Sequence, residues 1–150
     1  MLGADTSPFE ASVQMPGYGW RMPVKTLRAE CENNPVFRRR ALLYAQALSV
    51  QSSFSVASNA RHSIEQRLAR WLSAARDRVT SGRLSISQDR LAIMLGCRRA
   101  SVSSALANAR DMGLIRSSVG QITILDREGL RAVACPCYNS IKKEYRRLLL

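Results

Sequence analysis

Histidine is nearly absent from this chain: His62 is the only one in 150 residues. That excludes a histidine-rich metal centre and leaves a single candidate imidazole base. Ser63 and Glu65 lie near it in sequence, but that grouping is not a triad. Acidic residues are also sparse, 11 Asp plus Glu against 23 Lys plus Arg. No pair of catalytic carboxylates stands out, and no glycine-rich phosphate loop is seen. No catalytic residue is assigned, and the chain does not read as an enzyme. No run of about 18 apolar residues offers a spanning helix. No N-terminal cationic-then-apolar signal is seen either. The sequence therefore reads as cytoplasmic, with no membrane partner.

Four cysteines are present: Cys31, Cys97, Cys135 and Cys137. None forms a C-x-x-C pair, and the Cys135-Pro136-Cys137 spacing is tight for a structural zinc site. The expectation is reduced, partly buried thiols with no metal and no cofactor.

What is plentiful is positive charge. The formal net charge is +12. Such an excess calls for a polyanionic partner, most simply nucleic acid, with an anionic membrane surface as the competitor. Apolar residues make up 46% of the chain, enough for a real core in one compact domain or a small domain with an arm.

Phe9 to Met15 alternates as a strand would, Pro16-Gly17-Tyr18-Gly19 signals a turn, and Trp20, Met22 and Val24 suit a second strand. Two strands alone are marginal in water, so this hairpin needs support. Thr26 to Cys31 reads as a helical turn. Asn34-Pro35 then opens a long helix, with proline favoured at its first position. Val36, Leu43, Val50 and Ala57 recur at heptad spacing, and Arg40, Ala47 and Phe54 interleave with them. That pattern suits a coiled-coil seam, and Val36, Leu43, Ala47, Val50, Phe54 and Ala57 are the expected dimer interface. Arg40 spoils one position. The bland alternative is a single helix buried against its own chain.

A second helix, Ser63 to Val79, buries Ile64, Leu68, Trp71, Leu72, Ala75 and Val79 on one face. Glu65, Arg67, Arg70, Arg76 and Arg78 give it a solvated basic side. Thr80 to Arg83 reads as a loop and Leu84 to Ile86 as a short strand.

The stretch SQDRLAIMLGCRRASVSSALANARDM, residues 87–112, reads as a helix-turn-helix. Ser87 is a plausible N-cap and Asp89 suits the positive helix end. Leu91, Ala92, Met94 and Leu95 form a short apolar face. Gly96 permits the turn. A second helix runs from about Arg99 to Met112 and stops at Gly113. Its buried stripe is Val102, Ala105 and Leu106. Its open side carries Arg98, Arg99, Ser101, Ser104 and Asn108, groups suited to phosphates and base edges. Leu114 to Leu125 then reads as a hairpin, a wing, connected through Arg116 to Gln121. Asp126 caps a further helix to Ala134, which Pro136 ends. A last helix carries Tyr138, Ile141, Tyr145 and Leu148 on one face. Lys142, Lys143, Arg146 and Arg147 lie on the other, a cluster that reads as a solvated face.

These residues resemble the C-terminal half of the bacterial Crp/Fnr transcription regulators. The likeness spans residues 34–149. It runs from NPVFRRR through SIEQRLARWL to LSISQDRLAIMLGCRRASVSSAL and the wing GLIRSSVGQITILD. It implies a fold that is mainly α with small β: a long dimerisation helix plus a winged helix-turn-helix, with a short N-terminal β-hairpin remnant. The implied divisions are 1–33 as the remnant of an effector-domain β-roll, 34–60 as the dimerisation helix, and 61–150 as the winged helix-turn-helix DNA-binding domain.

The resemblance also implies a function. A homodimer would place one recognition helix per protomer in successive major grooves of double-stranded DNA, on a near-palindromic site, and contact RNA polymerase. By position, Arg99 matches a base-reading arginine that pairs bidentately with guanine. Ala100 stands where many members carry a base-reading glutamate, and Ser104 where many carry a second arginine, so the usual half-site does not carry over. Ser87, Gln88 and Ser101 match phosphate-contacting positions, and Arg98 and Gln121 are assigned to phosphates beside them. Most of the family's cyclic-nucleotide-binding-like domain is missing from this sequence, as are Fnr-type iron–sulfur cysteines, so no effector site is assigned.

Three other readings compete. The chain could be a protein-interaction and dimerisation module that modulates full-length regulators without binding DNA. It could be a non-specific, chromatin-like binder on charge alone. An enzyme is the third, with nothing in the sequence to support it.

Overall fold

The structure is a computed structural model that describes residues 6–7, 11–15, 17–79 and 81–150. Seven helices and three short strands follow one another along the described chain. Helix α1 spans Val24–Asn33 and α2 spans Pro35–Arg61. Helix α3 (Ile64–Arg76) leads into strand β1 (Arg83–Ser85). Then come α4 (Gln88–Leu95), α5 (Arg99–Asp111), β2 (Ile115–Ser118) and β3 (Gln121–Ile124). Helices α6 (Arg127–Val133) and α7 (Cys137–Leu149) close the chain. Among the described residues, no helix is long and apolar enough to cross a membrane.

Local chemistry explains where the helices begin. The Asn34 side chain accepts from the Phe37 amide, and Pro35 sits in the first turn of α2, where its missing N–H costs nothing. Ser63 and Gln66 form a reciprocal capping box on α3, at 3.3 and 3.2 Å. Asp126 accepts from the Gly129 amide at 2.9 Å and starts α6.

One core serves α3 to α6. Leu68 and Leu72 of α3 pack with Leu91 and Leu95 of α4, Val102 and Leu106 of α5, and Ile122 and Leu130 beyond them. Truncating any one of these to alanine costs about 2–5 kcal/mol, lost transfer energy plus a cavity. The sheet runs β1-β3-β2 and is antiparallel throughout. Its register sets Ile115 opposite Ile124 and Leu84 opposite Ile122. Helix α7 turns back from this domain and packs along α2.

Several expectations are corrected. Residues 11–15 and 17–22 form no strand, and Val24, expected in one, begins α1. Phe9 and Glu10 of the expected hairpin, Pro16 of its turn and Thr80 of the later loop lie outside the described residues. A two-stranded ribbon alone is marginal in water; instead α1 packs on α2, and Met15 lies against the core of the helix-turn-helix domain. The wing is tighter than the sequence implied: Arg116, Ser117, Ser118 and Gln121 are strand residues, and only Val119-Gly120 connects them. Gly120, at φ +71°, takes the left-handed conformation the turn requires. Arg67 and Arg70 are not on a solvated face but buried, because α3 is covered on more than one side. Arg67 compensates by donating to the Asn59 carbonyl and side-chain oxygens at 3.4 and 3.2 Å.

Candidate nucleic-acid interface

Helices α4 and α5 meet at Gly96, whose φ of +59° is the left-handed turn residue. A side chain there would be strained whatever space it found. Leu91 and Leu95 are fully buried against Val102 and Leu106, so the crossing is rigid and α5 presents a fixed outer face. Arg98, Arg99, Ala100, Ser103, Ser104 and Asn108 are exposed on α5 or at its start, and Ser101 is half-buried. Arg98 caps α5 without a side-chain hydrogen bond, so the positive helix end stays open for an anion.

The side chains on this face are lightly held. Arg99 sits 3.5 Å from the Asp89 carboxylate, both well exposed at 66% and 64%. A pair this open to solvent is worth about 0–1 kcal/mol, so Arg99 can leave it at little cost. The Ser104 hydroxyl donates to the Ala100 carbonyl one turn back, at 3.2 Å, and keeps its lone pairs for an outside donor. Ser87 does two things. Its hydroxyl accepts from the Arg90 amide at 3.2 Å, capping α4, and it remains exposed. Ser103 donates to the Gln88 side-chain oxygen at 2.6 Å, which fixes α4 to α5 and leaves the Gln88 amide nitrogen to donate outward. Ser103 carried no sequence signal, because its role depends on a neighbour across the turn.

Gln121 is exposed at the start of β3, paired across the hairpin with Ser118. Arg110 donates to the Ser117 hydroxyl at 3.1 Å, tying the end of α5 to the wing. Arg83, Arg90 and Arg116 are exposed as well. The surface made by α5, the start of α4 and the wing is thus cationic and rich in donors.

Residues 66–133 match the family model of the Crp-like helix-turn-helix domain. This part of the chain is similar to the Crp-like helix-turn-helix domain. Solved structures agree at the level of fold. A transcriptional regulator assigned to the Crp/Fnr family, from Eubacterium rectale, aligns at TM-score 0.56 and 24% identity, over 74% of this chain and 51% of its own. A CooA mutant from Carboxydothermus hydrogenoformans aligns at TM-score 0.61 and 20% identity, over 73% of this chain and 54% of its own. The chain therefore spans about half the length of these structures. No match was found among curated protein sequences.

Behind the helix-turn-helix domain lies an ion-pair hub that the sequence did not reveal. Asp77, just past α3, accepts from Arg127 at 2.7 Å, Arg131 at 3.2 Å, Tyr138 at 2.6 Å and Lys142 at 2.9 Å. Burial alone would push its carboxyl up, but the hydrogen bonds from Tyr138, Lys142 and Arg127 outweigh it. They hold the group well below the usual carboxylate range. Lys142 is therefore not simply part of a solvated face.

The expected seam on α2 is divided. Ala47 is fully buried within its own chain, on the helix that α7 packs along. Leu43, Val50 and Phe54 are half-buried, and Val36 and Ala57 are exposed. Arg40, the residue that spoils the heptad, donates to the Leu149 carbonyl of α7 at 3.0 Å. The exposed apolar side chains of α2 also include Leu42, Tyr44, Leu48 and Val56, which lie off the heptad positions.

A third cluster lies where α2 meets α3. His62 ends α2, and its Nδ1 is 4.0 Å from the Cys137 sulfur. Cys135 and Cys137 are both buried, and Ser58 lies 3.3 Å from the Cys135 sulfur. Burial pushes the Cys137 thiol up, Cys135 adds to that, and Arg70 works against it.

Proposed function

We propose that the chain is a sequence-specific DNA-binding transcription regulator that acts as a dimer on a near-palindromic site. The observation that carries this is the outer face of α5, where Arg98, Arg99 and Ser104 stand exposed on a rigid helix beside a cationic wing. Arg99 reads a guanine in the major groove. Ala100 and Ser104 stand against neighbouring bases, with Ala100 able to offer only apolar contact. Ser87, Gln88, Arg98, Ser101 and Gln121 hold phosphates. On this reading residues 61–150 form the DNA-reading part, and 34–60 carries self-association. The protein then works in the cytoplasm, beside the DNA and RNA polymerase.

Selection from random duplex DNA at physiological salt tests this. The expected result is an enriched near-palindrome, its half-sites about one helical turn apart. Arg99→Ala should weaken that site by about 1–3 kcal/mol and relax one base position. Equal loss on selected and random DNA would remove the base-reading role. Salt-sensitive retention without enrichment would mean phosphate binding alone.

The exposed Leu42, Tyr44, Leu48 and Val56 of α2 favour a second reading, a module that pairs with other regulators and binds no DNA itself. Retained self-association with no DNA retention would support it.

A further inference from the structure

We propose that His62, Cys135 and Cys137 are three ligands of a zinc site that fastens the α2–α3 corner to the α6–α7 corner. His62 is far from the cysteines in sequence, yet its imidazole nitrogen and the two sulfurs all lie within 4.8 Å of one another. On a tetrahedral zinc ion with bonds of about 2.3 Å to sulfur, two ligand atoms sit about 3.5–3.8 Å apart. Small side-chain shifts suffice to reach that from the 4.0 Å between His62 Nδ1 and the Cys137 sulfur.

The backbone already holds the donors in place. The Cys135 amide donates to the Gln66 carbonyl of α3 at 3.3 Å. Pro136 sits between the two cysteines at the start of α7, with its ring limiting rotation. The close spacing that made Cys135-Pro136-Cys137 unattractive as half of a four-cysteine site is no obstacle when the third donor arrives from another helix.

The donor chemistry selects the ion. Two soft thiolates and an imidazole suit zinc and exclude magnesium or calcium, which want oxygen. Two thiolates neutralise a divalent cation, so a buried pair can hold it without a net charge. The group holds three protein donors among the described residues, so the fourth position falls to a water or another small ligand. The site stands apart from the outer face of α5 and does not depend on DNA binding.

The full chain, stripped of metal and kept under a phosphine reductant, should be titrated with Co2+ as a spectroscopic stand-in and then with Zn2+. One equivalent should give sulfur-to-cobalt charge transfer and strong visible d–d bands, both abolished by zinc. Cys97→Ala should leave the spectrum unchanged, Cys137→Ala should remove most of the charge transfer, and His62→Gln should weaken binding at least tenfold. Circular dichroism checks that Cys137→Ala folds. If it does not, His62→Gln, at a half-exposed position, carries the test: zinc should raise the Tm of the parent chain but not of this variant. Absence of charge transfer in the parent, or bands and a zinc-induced Tm rise unchanged in His62→Gln, would overturn the proposal.

Discussion

Two regions of this molecule are built on opposite terms. The helix-turn-helix domain closes a core on itself: Leu68, Leu72, Leu91, Leu95, Leu106 and Leu130 are almost wholly buried. Helices α1 and α2 bury little besides Cys31, Ala47 and Ser58, and leave Val36, Leu42, Tyr44, Leu48 and Val56 exposed. The first region satisfies its apolar residues within one chain. The second has an apolar stripe wider than α7 can cover. Stability should therefore reside in the first region and association in the second.

The largest effect should come from the closed core. Leu106→Ala should cost about 2–5 kcal/mol in denaturant unfolding, since the tight crossing of α4 and α5 cannot collapse into the gap. A cost below about 1 kcal/mol would mean that the domain does not depend on that crossing.

Next comes Asp77, which joins α3 to α6 and α7. Asp77→Asn should cost about 1.5–3 kcal/mol at neutral pH, the range for hydrogen bonds to a charged group. The sign with pH follows from the lowered value. A carboxyl depressed on folding stabilises the native state above its ordinary value of 3.8, and that contribution fades as the pH falls through and below it. Acid unfolding curves of the parent and Asp77→Asn should therefore converge below about pH 4. Parallel curves would assign the loss to packing instead.

Ser87→Ala separates a structural cap from a phosphate contact. Loss of the cap costs about 0.5–2 kcal/mol of stability. If Ser87 also holds a phosphate, DNA affinity should fall alike on all sequences.

The smallest effect on stability should lie in α2. Leu48→Glu should change unfolding by no more than about 0.5 kcal/mol, because the side chain is already exposed. If α2 carries association, sedimentation should nonetheless show a shift towards monomer. A large loss of stability without any change in mass would mean that α2 supports the fold and does not carry association.

The elements of the domain were legible because their signals are local. Ser87, Asp126 and Asn34-Pro35 mark helix starts through bonds within one turn. Gly96 marks the corner through its own backbone, and the stripe Val102, Ala105, Leu106 through helical period. The N-terminal segment misled because alternation over a few residues is a weak signal, and residues 11–15 and 17–22 form no strand. Of the candidate interface, the residues of α5 were legible as a polar face opposite an apolar one. Their partners were not: Asp89 for Arg99, Ser103 for Gln88 and Ser117 for Arg110 lie on other turns or other elements.

The sequence by itself determined the positive charge, the order of the helices, the turn at Gly96 and the polar face of α5, since composition and near neighbours set each of these. Tertiary structure alone decided that Arg67 and Arg70 are buried and that Ala47 is covered by its own chain. It alone gathered four donors on Asp77 and brought His62 to Cys135 and Cys137. Those are contacts between residues far apart in the chain, and the packing angles that create them depend on the whole core.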